Sequence, residues 1–431
     1  MKGDTSSREE RIKIGPKRKI AFVCSGGATK AGAFHLGVAL ALQEQGFKFF
    51  GGMAPVNGPA PKPGPMDISL FVGSSAGSII SSYLAAGYSL DNIVNSFLGK
   101  TPTEADRAFL TPKELPRLTY QKMFKIKPNL GMAEQLGQLK KIRKSFSELL
   151  NGDLDSFLQF KWFKMSGIFS THGIEQYMRE EVLLSNRFQD YLADLFIVGT
   201  QLNHSRKVVF GKFSYQPPPH DLTCQYENDV GISEACAAST ALPVIFSPYP
   251  IRTRNQLAYY IDGEIRDTLS SHIAVDGGAD LVIASYTHQP LHVSHDPSAL
   301  INEGIPAIMI QSIYLLIEQK INNHIFNKTS NRNAIDAVSK YCRQEGISDA
   351  HRQRICEILE VQLNYRMDID TIYIHPSPSD AQLFYGEHFS LSPKKMADMV
   401  KSGFQAAIAK LRQYEFADRV KTHAIGVTDS G

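Results

Sequence analysis

Short runs of apolar and β-branched residues alternate with helix-compatible segments along most of this chain. The first run, residues 19–24, ends abruptly in glycines, and residues 31–45 then have the composition of a helix that stops at Gly46. Runs of the same strand type recur at residues 67–72, 195–198, 207–210, 259–261, 281–284 and 372–374. Strands separated by helices predict a three-layer α/β/α fold with a mostly parallel central sheet. In such sheets, sites form at the carboxyl ends of the strands.

Two segments rich in helix formers interrupt this alternation, at about residues 98–170 and 297–366. Within the first segment, apolar residues recur every three or four positions from Met132 to Leu150. That spacing predicts an amphipathic helix. We therefore expect both segments to be helical additions to the α/β core.

These patterns predict how the chain is organised. Residues 1–18 are expected to be a flexible polar leader, and residues 19–290 a catalytic domain with the first helical segment as an insertion. Residues 291–431 are expected to form a C-terminal helical block with a closing strand and helix, packed on the same domain. Ser392 and Pro393 have the residue types that open a helix, with serine as the cap and proline in the first turn.

The sequence Gly-Ser-Ser-Ala-Gly at residues 73–77 has the pattern G-x-S-x-G, with Ser75 at its centre. A predicted strand precedes it, and residues 76–86 are small or apolar and compatible with a helix. Strand, sharp turn and helix are the context in which this pattern forms a nucleophile elbow. The serine is then exposed at a tight turn, beside a helix N-terminus that favours developing negative charge. We therefore predict that Ser75 is a nucleophile.

A glycine-rich loop, Ser-Gly-Gly-Ala-Thr-Lys-Ala-Gly at residues 25–32, follows the first predicted strand. Such a loop exposes backbone N–H groups that bind an anion, either a phosphate or an oxyanion. The G-x-G-x-x-G pattern of dinucleotide sites and the G-x-x-x-x-G-K-[ST] pattern of phosphate-binding loops are both absent. With a predicted nucleophilic serine downstream, we interpret the loop as part of an oxyanion hole.

In chain order, these motifs resemble the patatin-like phospholipase family, which carries a glycine-rich oxyanion loop, then G-x-S-x-G, then an aspartate followed by glycine. The corresponding segments are residues 26–32, residues 73–77 and Asp262-Gly263. Residues 238–243, Ala-Ser-Thr-Ala-Leu-Pro, are similar to a family segment that precedes the aspartate. The resemblance covers residues 19–285 and leaves the two helical segments unexplained.

Three positions depart from the family pattern. Ala28 stands at the usual third glycine of the first loop, and Lys30 lies one position further from Gly32 than is common. Glu264 replaces the glycine or alanine that usually follows Asp-Gly. These departures concern the oxyanion hole and the turn after the aspartate more than the class of reaction.

The resemblance implies a lipid acyl hydrolase of the phospholipase A or lysophospholipase type, with no metal and no organic cofactor. Its substrate would be a phospholipid or another acyl-ester lipid. Ser75 would attack the ester carbonyl with Asp262 as the base. The oxyanion would be held by the backbone N–H groups of Gly26, Gly27, Ala28 and Ala76.

Two Asp-Gly sequences compete for the role of the base. Asp276-Gly277-Gly278 looks more like the family tripeptide, but it precedes the strand predicted at residues 281–284 and should lie at the opposite edge of the sheet. Asp262 follows the apolar run at residues 259–261, which places it at the carboxyl end of a strand. We therefore predict Asp262 as the base.

Two alternative functions remain open at this point. A serine nucleophile is often activated by a histidine, and the chain has several candidates for that role: His35, His172, His272, His288, His292 and His295. The first alternative is therefore a histidine-triad esterase or thioesterase. The second is a non-catalytic lipid-binding relative, because Ala28 and Glu264 depart from the family pattern.

Charge and composition indicate which partners and which cellular compartment to expect. A net charge of +3 is too small to indicate nucleic-acid binding, and five scattered cysteines contain no C-x-x-C pair that would suggest a metal site. The charged N-terminus lacks the apolar core of a signal peptide, and no apolar run approaches the ~20 residues that span a bilayer. We therefore expect a cytoplasmic protein. Any membrane contact would be peripheral, through basic and large apolar residues interleaved at residues 122–127, 140–144 and 161–165.

Overall fold

The computed structural model describes residues 11–107, 111–126, 167, 169–213, 223–253, 256–287, 299–302, 304–377, 380 and 391–417. The strands are β1 Ile12–Ile14, β2 Ile20–Cys24, β3 Lys48–Phe49, β4 Asp67–Ser74, β5 Lys125–Ile126, β6 Phe169–Ser170, β7 Asp194–Gln201, β8 Arg206–Gly211, β9 Cys224–Glu227, β10 Tyr249–Arg252, β11 Leu257–Asp262, β12 Leu281–Ser285, β13 Asp370–Ile374 and β14 Tyr414–Phe416. The helices are α1 Ala28–Glu44, α2 Ala76–Ala85, α3 Leu90–Leu98, α4 Glu104–Arg107, α5 Tyr120–Met123, α6 His172–Tyr177, α7 Ile232–Ser239, α8 Ser271–Asp276, α9 Ala299–Asn302, α10 Ile305–Gln344, α11 Asp349–Gln362 and α12 Pro393–Leu411. A short 3-10 turn, Gly263–Ile265, follows β11.

The central sheet follows the strand order β10-β11-β7-β4-β2-β12-β13, with β3 paired to β4, β8 to β7 and β9 to β8. The five strands from β7 to β13 along this path are parallel to their neighbours. The antiparallel pairs are confined to the side of β7, where β8, β10 and β11 join the sheet. The predicted α/β class with a mostly parallel central sheet is therefore confirmed.

Strand β2 shows how the sheet separates two hydrophobic cores. Phe22 belongs to the core that contains α1 and α12, whereas Ala21 and Val23 belong to the opposite core, which contains residues of α8 and α10. Successive side chains of a strand point to opposite faces of a sheet, and every residue of β2 is buried. Both faces are therefore covered by helices, which is the usual condition of a parallel sheet.

Strand β11 differs from the expected parallel arrangement, because it runs antiparallel to β7. Asp262 pairs with Gly199, the residue directly after Val198, and Val198 pairs with Ser74 of β4. Strand β11 therefore begins beyond the carboxyl edge of the sheet and runs back towards it. Asp262 reaches the level of the elbow from outside the sheet, on a hairpin with β10, and not at the end of a parallel strand.

Part of the expected leader is a strand. Strand β1 pairs in parallel with β14, with Ile14 opposite Phe416, and Ile14 is buried. Helix α12, which precedes β14, packs along α1. The two ends of the described chain thus meet beside the first helix of the core. A strand of three residues is too short to produce a recognisable alternation in the sequence.

The first helical segment is only partly described. The helix predicted from Met132 to Leu150 and the basic residues at 140–144 and 161–165 lie outside the described residues. Lys122 forms an ion pair with Glu181 and lies 5.1 Å from the centre of the Tyr177 ring. This lysine is therefore engaged by neighbouring side chains of its own fold. Among the helices of the described residues, none has the length and apolarity of a transmembrane span.

Candidate active site

The turn at Ser75 joins β4 to α2 and holds the serine in a strained backbone conformation. Its φ is 52° and its ψ is −127°, a combination that L-residues rarely adopt. The two glycines of the motif permit the backbone contacts that shape this turn. A Cβ on Gly73 would lie 2.5 Å from Ser78 Cα, and one on Gly77 would lie 2.1 Å from the Cys24 carbonyl oxygen. The local geometry is that of a nucleophile elbow.

A serine from the last turn of α7 fixes the elbow. The Ser75 amide donates a 2.8 Å hydrogen bond to Ser239 Oγ, and Ser239 Oγ donates a 2.6 Å hydrogen bond to the Val198 carbonyl. All of these atoms are buried. Ser239 therefore ties the backbone of Ser75 to β7, the strand that also pairs with Asp262.

Asp262 is buried beside Ser75. Its Oδ1 accepts a 3.0 Å hydrogen bond from the Glu264 amide, and its own amide donates to the Ala241 carbonyl at 3.0 Å. Burial raises the pKa of Asp262 to about 6, and hydrogen bonds from the Ser75 side chain and the Glu264 amide oppose that rise only in part. A carboxylate of this kind is ionised at neutral pH and is a stronger base than an exposed aspartate.

The glycine loop begins α1 directly beside these two residues. Gly27 has a φ of 131°, and a Cβ there would lie 2.2 Å from Thr287 Oγ1. Ala28 has a φ of 60° and is the first residue of α1, and Ala76 is the first residue of α2. The N–H groups in the first turn of a helix have no intrahelical acceptor. Gly27, Ala28 and Ala76 line one cavity together with Ser75 and Asp262.

Gly26 departs from its expected role. Its N–H donates a 2.8 Å hydrogen bond to Glu264 Oε1 and is therefore already engaged. The structure thus brings three of the four expected oxyanion donors to the cavity, whereas the fourth binds a side chain of the protein. The cause is Glu264, one of the positions at which the sequence departs from the family pattern.

A family model for patatin-like phospholipases matches residues 22–275, more than half of the chain. The chain belongs to the patatin-like phospholipase family. The matched segment includes Ser75 and Asp262 and ends within α8, so that α10, α11 and α12 lie outside it. A comparison with curated proteins gives no match.

His35 supports the glycine loop of this patatin-like domain and does not contact Ser75. Its Nε2 lies 2.8 Å from the Ser25 carbonyl oxygen, and its Nδ1 lies 2.7 Å from Ser285 Oγ. A carbonyl oxygen only accepts hydrogen bonds, so Nε2 carries the hydrogen and Nδ1 accepts from the serine. Burial lowers the pKa of His35 to about 4, which keeps the ring neutral. Both ring nitrogens are therefore used to join α1, β2 and β12.

The other described histidine candidates also lie away from Ser75. His272 contacts Lys207 at 2.6 Å and Asp267 at 3.6 Å, and burial lowers its pKa to about 4. His172 is exposed at the first position of α6. His288, His292 and His295 lie outside the described residues. Among the described residues that line the cavity, none is a histidine.

Asp276 lies at the opposite edge of the sheet from Ser75. It is the last residue of α8, and the adjacent Gly277 carbonyl accepts a 2.8 Å hydrogen bond from Lys19, which directly precedes β2. Because β2 and β4 are parallel, the start of β2 and the elbow after β4 are at opposite ends of their strands. Asp276 cannot reach Ser75 from this position.

The cavity over Ser75 has mostly apolar walls and about 990 Å³ of empty space, part of it continuous with solvent. Helices from several parts of the chain contribute, through Ile79, Ile80, Phe97, Tyr314, Ile317 and Met396. Arg117 is the one basic side chain among the described lining residues, and its Nη2 donates to the Leu391 carbonyl at 2.7 Å. These walls suit an acyl chain better than a phosphate group, which usually binds several donors.

The sequence does not predict three residues that support the elbow and the glycine loop. Ser239 lies in the recognised segment at residues 238–243, but nothing in that pattern assigns it to the Ser75 amide. Thr287 and Ser285 follow a predicted strand, and their hydroxyl groups contact Gly26 and His35. Only the parallel pairing of β12 with β2 brings them to the glycine loop, and strand order is not readable from either segment alone.

Proposed function

We propose that this chain hydrolyses carboxylic esters of lipids, as a phospholipase A or lysophospholipase, through an acyl-enzyme on Ser75 with Asp262 as the base. One observation carries the proposal: the strained elbow presents Ser75 to the buried Asp262 carboxylate on the floor of a largely apolar cavity. A nucleophile, a base of raised pKa and an apolar cavity together fit the cleavage of an acyl ester.

In the first step, Asp262 takes the proton of the Ser75 hydroxyl as Oγ attacks the ester carbonyl. The developing oxyanion is held by the N–H groups of Gly27, Ala28 and Ala76. Gly26 is left out of this set, because its N–H donates to Glu264. Loss of one such donor typically lowers the rate by ~10²–10³, so these donors supply much of the acceleration.

In the second half of the reaction, the tetrahedral intermediate collapses and the C–O bond to the leaving alcohol breaks. Protonated Asp262 gives its proton to that alcohol, and the acyl group remains on Ser75. Asp262, again ionised, takes a proton from a water molecule that attacks the acyl-enzyme. Release of the fatty acid returns the proton to Ser75 and restores the site.

The cavity walls support an assignment of substrate parts. We place the acyl chain among the apolar side chains of α2, α10 and α12, and the head group at the cavity mouth. The scarcity of basic side chains in the described wall supports this orientation, because a phosphate placed inside would meet Arg117 as its one cationic partner.

A peripheral contact with the lipid surface belongs to the same proposal. Residues 304–317 carry no charged side chain. In this segment of α10, Tyr314 and Ile317 line the cavity, whereas the outward side chains are between 41% and 58% exposed: Ile308, Met309, Leu315 and Leu316. An uncharged apolar helix surface next to a lipid cavity favours insertion into the bilayer interface. We therefore propose that this outer surface of α10 rests on the substrate membrane.

Incubation with mixed phospholipids, lysophospholipids and neutral glycerides tests the function. Mass spectrometry of the released fatty acids should show hydrolysis by the wild type and a loss of at least ~10³-fold in Ser75→Ala. Ser81→Ala is the matched control, because it removes a buried hydroxyl of α2 that donates to the Val72 carbonyl and does not line the cavity. Equal release by Ser75→Ala and the wild type would contradict the proposed chemistry. Loss of activity in a single histidine variant, with Asp262→Asn still active, would favour a histidine-triad esterase.

A further inference from the structure

Glu264 is buried in the active site beside the glycine loop. It follows Asp262 by two residues, in the 3-10 turn after β11, and its side chain is among those that line the cavity. Its Oε1 accepts the 2.8 Å hydrogen bond from Gly26 N–H. A Cβ on Gly26 would lie 2.8 Å from both Glu264 Cγ and Ser75 Cβ, so these three residues are in close contact.

The second oxygen of this carboxyl has no hydrogen bond of ordinary geometry among the described residues, and the side chain that it faces is the Ser74 hydroxyl, which has none either. Glu264 Oε2 is buried, and the whole residue is 2% exposed. A buried carboxylate with one oxygen that lacks a well-formed hydrogen bond is strongly disfavoured, and the nearby Asp262 carboxylate adds repulsion that outweighs the weak contact with Ser74. A proton on Oε2 removes both penalties, whereas Oε1 remains the acceptor for Gly26. The geometry therefore favours the neutral acid.

We propose that Glu264 is a positioning residue that acts as a neutral carboxylic acid, holding Gly26 through Oε1, and that its ionisation switches the site off. The inference rests on the proposed function, because the affected step is the attack by Ser75. An ionised Glu264 would place negative charge beside the site where the oxyanion forms. This charge would oppose the electrostatic stabilisation of that oxyanion.

The pKa values of the two carboxyl groups agree with this division of roles. Burial, followed by the charge of Asp262, raises the pKa of Glu264 to about 8, whereas the pKa of Asp262 is about 6. Between these values Asp262 is an ionised base and Glu264 is a neutral acid. Activity should therefore rise as Asp262 loses its proton and fall as Glu264 loses its own.

The other titratable groups around Glu264 can be distinguished from it in the pH dependence of the activity. Asp267, in the same loop, is paired with Lys207 and His272. On α10, burial raises the pKa of Tyr314 far above the range of the experiment. On α1, His35 is neutral, and burial lowers the pKa of Lys30 to about 7. When Glu264 is replaced, only the part of the pH–activity profile that Glu264 itself causes should disappear.

The test is the pH dependence of kcat/KM on a short, water-soluble ester, for the wild type, Glu264→Gln and Glu264→Ala. The wild type should give a bell-shaped profile with limbs near pH 6 and pH 8. At pH 9 it should lie about tenfold below its maximum, since a group with a pKa near 8 is then about ten parts ionised to one part neutral.

Glu264→Gln should retain activity at pH 7 within about threefold and lose the alkaline limb, because the amide oxygen still accepts from Gly26 but cannot ionise. Glu264→Ala should also lose this limb, but with a lower kcat at pH 7, since the loop is no longer held. An unchanged alkaline limb in Glu264→Gln would overturn the proposal. So would equal kcat values for the alanine variant and the wild type at pH 7.

Carbon-13 NMR of the wild type labelled at the glutamate carboxyl carbons keeps the test independent of how the variants fold. One carboxyl signal should titrate near pH 8. If every glutamate carboxyl titrates below pH 6, the proposal is wrong even where both variants fail to fold. Failure of the proposed function is a different result, in which the wild type hydrolyses no ester at any pH.

Discussion

Ser239 Oγ accepts a 2.8 Å hydrogen bond from the Ser75 amide and donates a 2.6 Å hydrogen bond to the Val198 carbonyl oxygen. One hydroxyl therefore couples the backbone of Ser75 to β7, the strand with which Asp262 pairs. Under the proposed mechanism, the placement of Ser75 relative to Asp262 should depend on this link, although Ser239 is not among the described residues that line the cavity.

Ser239→Ala should lower kcat about tenfold and leave KM nearly unchanged, because misplacement of Ser75 affects the transition state more than substrate binding. Steady-state kinetics on a soluble ester measure both constants. Ser247→Ala removes another hydroxyl that donates to a backbone carbonyl, that of Phe169, and serves as the control. Equal effects of the two substitutions would show that the link to Ser75 has no special importance.

His35→Gln should reduce stability rather than change the chemistry. The ring fills a fully buried site between the Ser25 carbonyl and Ser285, so imperfect replacement of its two hydrogen bonds should cost about 1–3 kcal/mol of unfolding free energy. Denaturant unfolding measures that loss. The acid limb of kcat/KM should stay near pH 6, because it belongs to Asp262. A displaced acid limb, with a rate loss of ~10³-fold or more, would assign the base to His35.

The outer surface of α10 should control binding to vesicles and not the chemical step. Leu315→Ser combined with Leu316→Ser should weaken co-sedimentation with phospholipid vesicles about tenfold, because two exposed apolar side chains no longer enter the interface. Phe326→Ser, on a more distant and more polar part of the same helix, is the matched control. Hydrolysis of a soluble ester should be unchanged in both variants. Unaltered vesicle binding by the double variant would refute this docking surface.

The two buried carboxyl groups should make the folded state less stable as the pH rises. The folded-state pKa of Glu264 is about 8 against an ordinary value of 4.5, so between these values the unfolded chain has released a proton that the folded chain keeps. Stability then falls with rising pH across that interval, and Asp262 adds a smaller loss between 3.8 and about 6. Below both ranges neither group has an effect.

Glu264→Gln should therefore stabilise the protein by an amount that grows from about pH 4.5 to pH 8 and then stays constant. Thermal unfolding midpoints of the variant and the wild type, measured across this range, provide the comparison. A difference that does not vary with pH would mean that Glu264 has an ordinary pKa.

The sequence predicts the elements around Ser75 most completely. The glycines around Ser75 mark the elbow because only they allow the backbone contacts with Ser78 and Cys24. The strand direction of β11 was not readable, since a run of apolar residues does not reveal whether its partner is parallel or antiparallel. Asp262 ends a strand, as the sequence predicts, but that strand is antiparallel to β7 and brings Asp262 to the elbow from the opposite direction.

The contacts that tune the site depend on residues far apart in the chain. The hydrogen bond from Gly26 to Glu264 spans 238 positions, and that between His35 and Ser285 spans 250. The sequence shows Glu264 as a departure from the family pattern, but its contact with the loop follows only from the packing of β11 and α1 around the end of β4. Composition and periodicity carry no information about such pairs.

Labelling with a fluorophosphonate, followed by intact-protein and peptide mass spectrometry, tests the central claim most directly. The probe should form a single covalent adduct on Ser75 in the folded wild type, and Asp262→Asn should slow its formation by ~10²–10⁴-fold without altering the fold. An adduct on another residue, or equally fast labelling of Ser75 in Asp262→Asn, would contradict the pairing of this serine with this aspartate.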